Sequence, residues 1–255
     1  MLSIWTTLSN MENEFYSPGE QRAAQVNRLF ATIATRYDLI NDIQSLGAHR
    51  RWKRRVASLA AVKAGDRALD LCCGTGDISF ALAKTGATVT GLDFSEAMLA
   101  VANQRNPQSS ILNPQFIQGD AQKTPFANET FDAVTVGFGL RNLASWEAGL
   151  DEMARVAKPG ARLIVLDFGK PDNALWRGIY FTYLKLLVPL LGLLVCGKPS
   201  AYAYIIASLR DYPAQRGVEA RMRTLGLVNV RTDNFIGGAM SINYGEKPLA
   251  VIKSG

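Results

Sequence analysis

The feature that most constrains this chain is the segment Leu69-Asp70-Leu71-Cys72-Cys73-Gly74-Thr75-Gly76-Asp77, an apolar run that ends in two glycines and passes into a helical pattern. Ala68–Cys73 is short, apolar and closed by glycine, which reads as a strand buried on both faces of a parallel sheet. Ile78–Lys84 then repeats its apolar residues at helical spacing. The alternation continues with a strand at Thr88–Leu92, a helix at Ser95–Gln104 and strands at Phe116–Gln118 and Phe131–Val136. Ser95 is expected to cap its helix, with Met98 as the first apolar contact. A helix at Ser145–Ala157, closed by Lys158-Pro159-Gly160, precedes a strand at Arg162–Phe168. Val228–Asn234 and Ala239–Tyr244 close the pattern as two strands around Gly237-Gly238.

Seven strands interleaved with helices specify an α/β chain, a mostly parallel seven-stranded Rossmann-like sheet with helices on both faces and right-handed crossovers. Helical spacing over 20–58 adds an N-terminal helical extension, and 172–210 breaks the rhythm as a helical insertion before the last two strands. Residues 1–20 are expected to be a variable N-terminus and 21–255 a single domain. Residues 1–10 carry no pattern, so Met11 is a candidate start.

In such sheets ligands bind beyond the carboxyl ends of the strands, and glycines there let the backbone turn tightly against them. A Gly-x-Gly turn alone serves nicotinamide cofactors and S-adenosylmethionine alike. Three observations favour the second. The third glycine of the dinucleotide pattern is replaced by Ser79. Asp70 and Asp77 bracket the turn, which suits a cationic ligand and disfavours a pyrophosphate. Gly119-Asp120-Ala121 follows the third strand, where a carboxylate can accept from an adenine amino group. Asp93 ends the second strand, where a carboxylate can accept from ribose hydroxyls of either cofactor. Singly, each Asp reads as well as a loop or helix cap; together, at successive strand ends, they read as a site. The expected cofactor contacts are Asp70, Gly74, Thr75, Gly76, Asp93, Asp120, Ala121 and Gly137. Methyl transfer from a sulfonium needs alignment and exclusion of water, with no metal and no enzyme nucleophile. No metal-ligand spacing and no Ser/His/Asp pattern is seen.

Of 255 residues, 48% are hydrophobic and 20% charged, a globular composition, and the net charge of +6 does not by itself call for nucleic acid. Part of that charge is concentrated in His49-Arg50-Arg51-Trp52-Lys53-Arg54-Arg55, which reads as a solvated helix face or as a surface for lipid headgroups. Three cysteines, two of them adjacent at Cys72-Cys73, make a poor disulfide set and fit a reducing cytoplasm. No secretory leader is expected. Leu186–Cys196 is apolar but is about half the roughly 20 residues a span requires, so it reads as a buried helix or a lid over an apolar pocket.

Several longer motifs resemble the ubiquinone/menaquinone biosynthesis C-methyltransferases. They are Tyr37-Asp38-Leu39-Ile40-Asn41-Asp42, Ser45-Leu46-Gly47, His49–Lys53, Asp70–Asp77, Gly137-Phe138-Gly139-Leu140-Arg141-Asn142, Arg155–Gly160, Asp167–Pro171, Tyr202–Pro213, Gly237-Gly238 and Gly245–Pro248. The resemblance runs from about Ala23 to Pro248. It implies a class I methyltransferase fold and C-methylation of a polyprenyl quinol, demethylmenaquinol to menaquinol being the first reading. The ubiquinone-pathway benzoquinol and demethylphylloquinol are the alternatives, and a nicotinamide-dependent oxidoreductase is the alternative outside the class. Contacts to S-adenosylmethionine are implied at Thr75, Asp93, Asp120, Ala121 and the backbone around Gly137. Relatives often carry Ser where Gly137 stands. The implied partners are the quinol and an anionic membrane surface on its cytoplasmic side, without nucleic acid; the sequence leaves open a homo-oligomer.

A phenol ionises near pKa 10, so a neighbouring cation or base would activate the ring. Arg141 is expected to stabilise the phenolate and Asn142 to orient the hydroxyl, while Tyr37, Asp38 and His49 lie in a motif able to cover the substrate. His49 is a base by type and equally an ordinary residue of a basic helix.

Overall fold

The computed structural model describes residues 41–42, 45–106, 113–196 and 200–250. The helical pattern expected before residue 41 lies outside them. The described residues build one seven-stranded sheet in the order β3-β2-β1-β4-β5-β7-β6. Its strands are β1 (Arg67–Leu71), β2 (Thr88–Asp93), β3 (Gln115–Gln118), β4 (Phe131–Gly137), β5 (Ala157–Phe168), β6 (Val228–Phe235) and β7 (Met240–Glu246). All neighbouring pairs are parallel except those of β7, which runs antiparallel to both β5 and β6. The helices are α1 (Ala48–Ala60), α2 (Asp77–Ala83), α3 (Glu96–Arg105), α4 (Trp146–Val156), α5 (Ala174–Cys196), α6 (Ser200–Asp211) and α7 (Ala214–Thr224).

Two cores form because successive strand residues face opposite sides. Along β5, Leu163 and Val165 pack with Leu150 and Met153 of α4, Leu184 of α5 and Met222 of α7. Ile164 and Leu166 face the other way, toward Trp52 and Val56 of α1 and Ile78 and Leu82 of α2. Each fully buried side chain of this size contributes about 1.5–3 kcal/mol, so the apolar run of β5 holds both layers to the sheet.

Three boundaries differ from expectation. β1 stops at Leu71, and Cys72 takes a left-handed φ of 52°. Cys72 therefore belongs to the turn and is not a strand residue. Lys158-Pro159-Gly160, expected to close the preceding helix, lies within β5: that helix ends at Val156, β5 already pairs at Ala157↔Phe131, and the register shifts before Ala133↔Arg162. Gly160, at φ 81°, donates its N–H to the Lys247 carbonyl. The apolar run at Leu186 lies within the 23-residue α5, and Leu186 and Leu187 are exposed, not buried. Among the described residues no helix is long and apolar enough to cross a membrane.

Candidate active site

The turn after β1 is built from left-handed residues. Cys72, Gly74 and Gly76 have φ of 52°, 55° and 88°. At Gly76 a Cβ would lie 2.8 Å from the Phe116 ring and 2.9 Å from that of Phe80, so the position admits only glycine without displacement. The Gly74 N–H donates to Asp93 Oδ2 at 2.8 Å, and the Ser95 N–H donates to Asp93 Oδ1 at 2.8 Å. Asp93 thus ties the ends of β1 and β2 together. Burial raises its carboxyl above the usual range, and the N–H groups of Ser95 and Gly74 oppose that shift.

Beyond these strand ends lies an open, largely apolar cleft. Gly74, Asp93, Ser95, Asp120, Ala121, Gly137 and Asn142 are among the residues that line it. Five of the eight expected cofactor residues, Gly74, Asp93, Asp120, Ala121 and Gly137, therefore share one cavity. Asp120 is exposed and accepts from the Gln122 N–H at 2.9 Å. Thr75 and Asp70 border the small adjoining hollow beneath the turn, and Gly76 shapes the turn without lining the cleft.

The charges at the turn differ from expectation. Asp77 receives hydrogen bonds from Lys53 Nζ at 2.7 Å and from Arg105 at 2.6 Å. Burial would raise its carboxyl, but Lys53 and then Arg105 outweigh that and bring it down to about 2. Its charge is balanced inside the protein, so of the acidic bracket only Asp70 is left to meet a cationic ligand. Asp70 is 1% exposed and accepts from Ser79 Oγ at 2.6 Å and Thr135 Oγ1 at 2.9 Å. Burial pushes it up to about 6. Ser79, where a dinucleotide fold places glycine, thus holds this carboxylate.

Ser95 does not cap α3 through its side chain. Its Oγ is buried without a hydrogen-bond partner, as is Asn142 Oδ1. Both residues line the cleft. An unpaired buried polar atom costs about 1–3 kcal/mol, and these two border the same cleft. S-adenosylmethionine fits this lining, with hydroxyl, amide and carboxylate acceptors around a small apolar cleft. Ser95 was missed because its sequence context is that of an ordinary N-cap.

Arg141 is not turned into the cleft. Its guanidinium donates to Asp167 Oδ1 at 2.7 Å, the Phe138 carbonyl at 2.7 Å and Ser208 Oγ at 3.3 Å, and lies 4.6 Å from the Phe168 ring centroid. It is a buried brace for the turn carrying Asn142. Tyr37 and Asp38 lie outside the described residues. His49 is buried, with Nδ1 2.9 Å from Ser45 Oγ, and lines a separate basic hollow with Lys53 and Arg105. Burial, then Lys53, lowers its pKa. Lys53 is buried as well, so the basic run is not wholly a solvated face. Among the described residues no cluster of three metal-ligating side chains occurs.

The profile of the ubiE/COQ5 methyltransferase family matches residues 18–247. The chain is 40% identical over 236 residues to the ubiquinone/menaquinone biosynthesis C-methyltransferase UbiE of Ectopseudomonas mendocina, covering 91% of this chain and 92% of that one. It is 40% identical over 224 residues to the demethylmenaquinone methyltransferase of Mycobacterium sp. strain KMS, covering 88% and 94%. Among solved structures, a chain of the Haloferax volcanii complex of the Trm112 methyltransferase activator with its methyltransferase superposes with a TM-score of 0.63 at 17% identity, over 86% of this chain and 97% of that one. Haemonchus contortus phosphoethanolamine N-methyltransferase 2, solved with S-adenosyl-L-methionine, does so with 0.57 at 16% identity, over 78% and 52%.

Proposed function

The chain belongs to the ubiE/COQ5 methyltransferase family, and on that premise we propose that it methylates a ring carbon of demethylmenaquinol, with S-adenosylmethionine as donor, to give menaquinol. The chain is an S-adenosylmethionine-dependent C-methyltransferase of quinone biosynthesis, and the nicotinamide alternative is not favoured. Relatives named for demethylmenaquinone support the choice of ring.

The observation that carries the reading is the pair of unpartnered polar atoms, Ser95 Oγ and Asn142 Oδ1, on two strand-end loops that line one cleft. The bound donor supplies a methyl group already activated by its sulfonium. Asp93 and Asp120 accept from the ribose and adenine, and Ser95 offers a further hydroxyl to the same ligand. Asp70, beneath the turn, contributes negative potential toward the ligand's cationic end. Asn142 Oδ1 accepts from the quinol hydroxyl and fixes the ring in line, which supplies the orientation the step requires. Arg141 acts through the loop it braces, holding Asn142 in place; its pairing with Asp167 leaves the donor's positive charge to balance the negative charge that builds on the ring oxygen as its proton passes to solvent. Tyr37 and Asp38, outside the described residues, stay candidate catalytic residues on the sequence motif alone. Contact with an anionic membrane on its cytoplasmic side brings the prenylated substrate within reach.

The test is to incubate the purified protein with methyl-labelled donor and, separately, demethylmenaquinol, the ubiquinone-pathway benzoquinol and demethylphylloquinol, and to identify products by mass spectrometry. Preferential methylation of demethylmenaquinol is expected. Labelling of only one of the other rings overturns the ring assignment; donor binding without labelling of any ring overturns the quinol reading.

A further inference from the structure

The carboxyl edge of the sheet carries, beside the cleft, an apolar surface that methyl transfer itself does not use. Because β7 is antiparallel between β5 and β6, the turn from β6 into β7, Ile236–Gly238, emerges at that edge. Ile236 is 55% exposed and has a φ of 49°. A β-branched residue is strained in the left-handed region, and this one gains little packing in return. The turn is fixed from behind by Trp176, whose indole N–H donates to the Ile236 carbonyl at 2.9 Å.

Trp176 leads into an apolar stripe on α5. Leu175, Ile179 and Leu186 are 77%, 51% and 52% exposed, and their spacing of four and seven residues puts them on one helix face. On the other side of the turn, the Phe235 ring lies 6.0 Å from that of Trp52 on α1. Arg55 of that helix is exposed and reaches Asp233 at 3.4 Å, Arg51 is exposed one turn before it, and Arg54 lines the basic hollow with Lys53. An apolar ridge rimmed by arginines matches an anionic bilayer, whose headgroups attract the cations while its acyl boundary receives the apolar tip.

We propose that the Ile236–Gly238 turn, flanked by Leu175 and Ile179 of α5 and the exposed arginines of α1, docks this protein on an anionic lipid bilayer, with Ile236 entering the acyl boundary. This deepens the quinol reading and rests on it, since a prenylated ring is drawn from a bilayer. The way inward is aromatic. Phe235 and Phe168 both pair with Met240 in the sheet, and the Phe168 ring lies 5.9 Å from Phe138, which lines the cleft.

Sedimentation with vesicles of phosphatidylglycerol and phosphatidylcholine, against vesicles of phosphatidylcholine alone, tests this. The unmodified protein is expected to bind the mixed vesicles more tightly. Ile236→Gly, which removes the side chain and relieves the strained φ, is expected to weaken that binding about tenfold, and Ile236→Asp more. Arg51→Gln is expected to weaken it about fivefold. Donor affinity and turnover of a short-tailed, water-soluble quinol are expected to stay unchanged in all three variants. Absence of vesicle binding, or binding by both Ile236 variants equal to that of the unmodified protein, overturns the proposal. So does a loss of self-association in Ile236→Asp with vesicle binding intact, which would make this face a contact between copies. If the unmodified protein fails to turn over the soluble quinol, the quinol reading falls instead, and the vesicle measurement still decides the docking face.

Discussion

Burial of Asp70 at the end of β1 places a proton equilibrium beneath the turn. The carboxyl is near 3.8 when unfolded and is pushed up to about 6 in the fold. The folded state therefore binds the extra proton between those values, and the contribution of Asp70 to stability falls as pH rises through that window. A cationic donor favours the ionised form. Donor affinity is thus expected to rise about tenfold from pH 5 to pH 7 as Asp70 ionises, with proton uptake by buffer visible in calorimetry; Asp70→Asn should flatten the profile, and an unchanged slope would remove Asp70 from donor binding. Gly137 supports a steric prediction. A Cβ there would lie 2.5 Å from Ile78 Cδ1, so Gly137→Ser is expected to cost about 1–3 kcal/mol of overpacking. Ile78→Val removes that methyl and is expected to restore most of the loss in thermal unfolding. The strand-end positions of Asp93, Asp120 and Gly137 were legible in the sequence because the short strand runs break at Asp93, Gly119 and Gly137. The neutralisation of Asp77 was not, because its partners Lys53 and Arg105 stand 24 and 28 residues away and only the fold brings them together.

The short helical turn Leu140–Asn142 depends on its surroundings for shape. Arg141 and Asp167 are paired with side-chain exposures of 1% and 2%, and the same guanidinium reaches Ser208 of α6. The pair therefore links β5, the turn and the helical insertion. Breaking a buried pair from one side leaves a charge without compensation and costs about 3–5 kcal/mol. Asp167→Ala is expected to lose that much in urea unfolding, while the double replacement Arg141→Met with Asp167→Leu recovers most of it. Equal losses in the single and double variants would show that packing, not charge, holds the turn. The sequence marks Arg141 by residue type as a group for the ring. It could not show that Asp167, 26 positions on, occupies the guanidinium. The insertion was legible as helical from its apolar texture, but which face of α5 is covered depends on tertiary packing, and Leu186 and Leu187 face outward.

At the scale of the whole molecule, strand order follows from a simple division. Strands β1 to β5 are joined by crossovers and lie parallel, whereas β6 and β7 are joined by four residues, 236–239, and must run opposite. Alternating strands and helices made the parallel part predictable; placing β7 between β5 and β6 was not, since no local pattern says which edge a closing hairpin chooses. That placement has a consequence for synthesis. Chains fold from the amino end as they emerge, at about 5–20 residues per second. β5 carries a run with no more than 1% exposure from Leu163 to Leu166, yet its partner β7 begins about 70 residues later. A nascent chain thus presents an unpaired apolar edge for roughly four to fourteen seconds, long enough for a ribosome-associated chaperone to engage it before the hairpin arrives to seal the sheet.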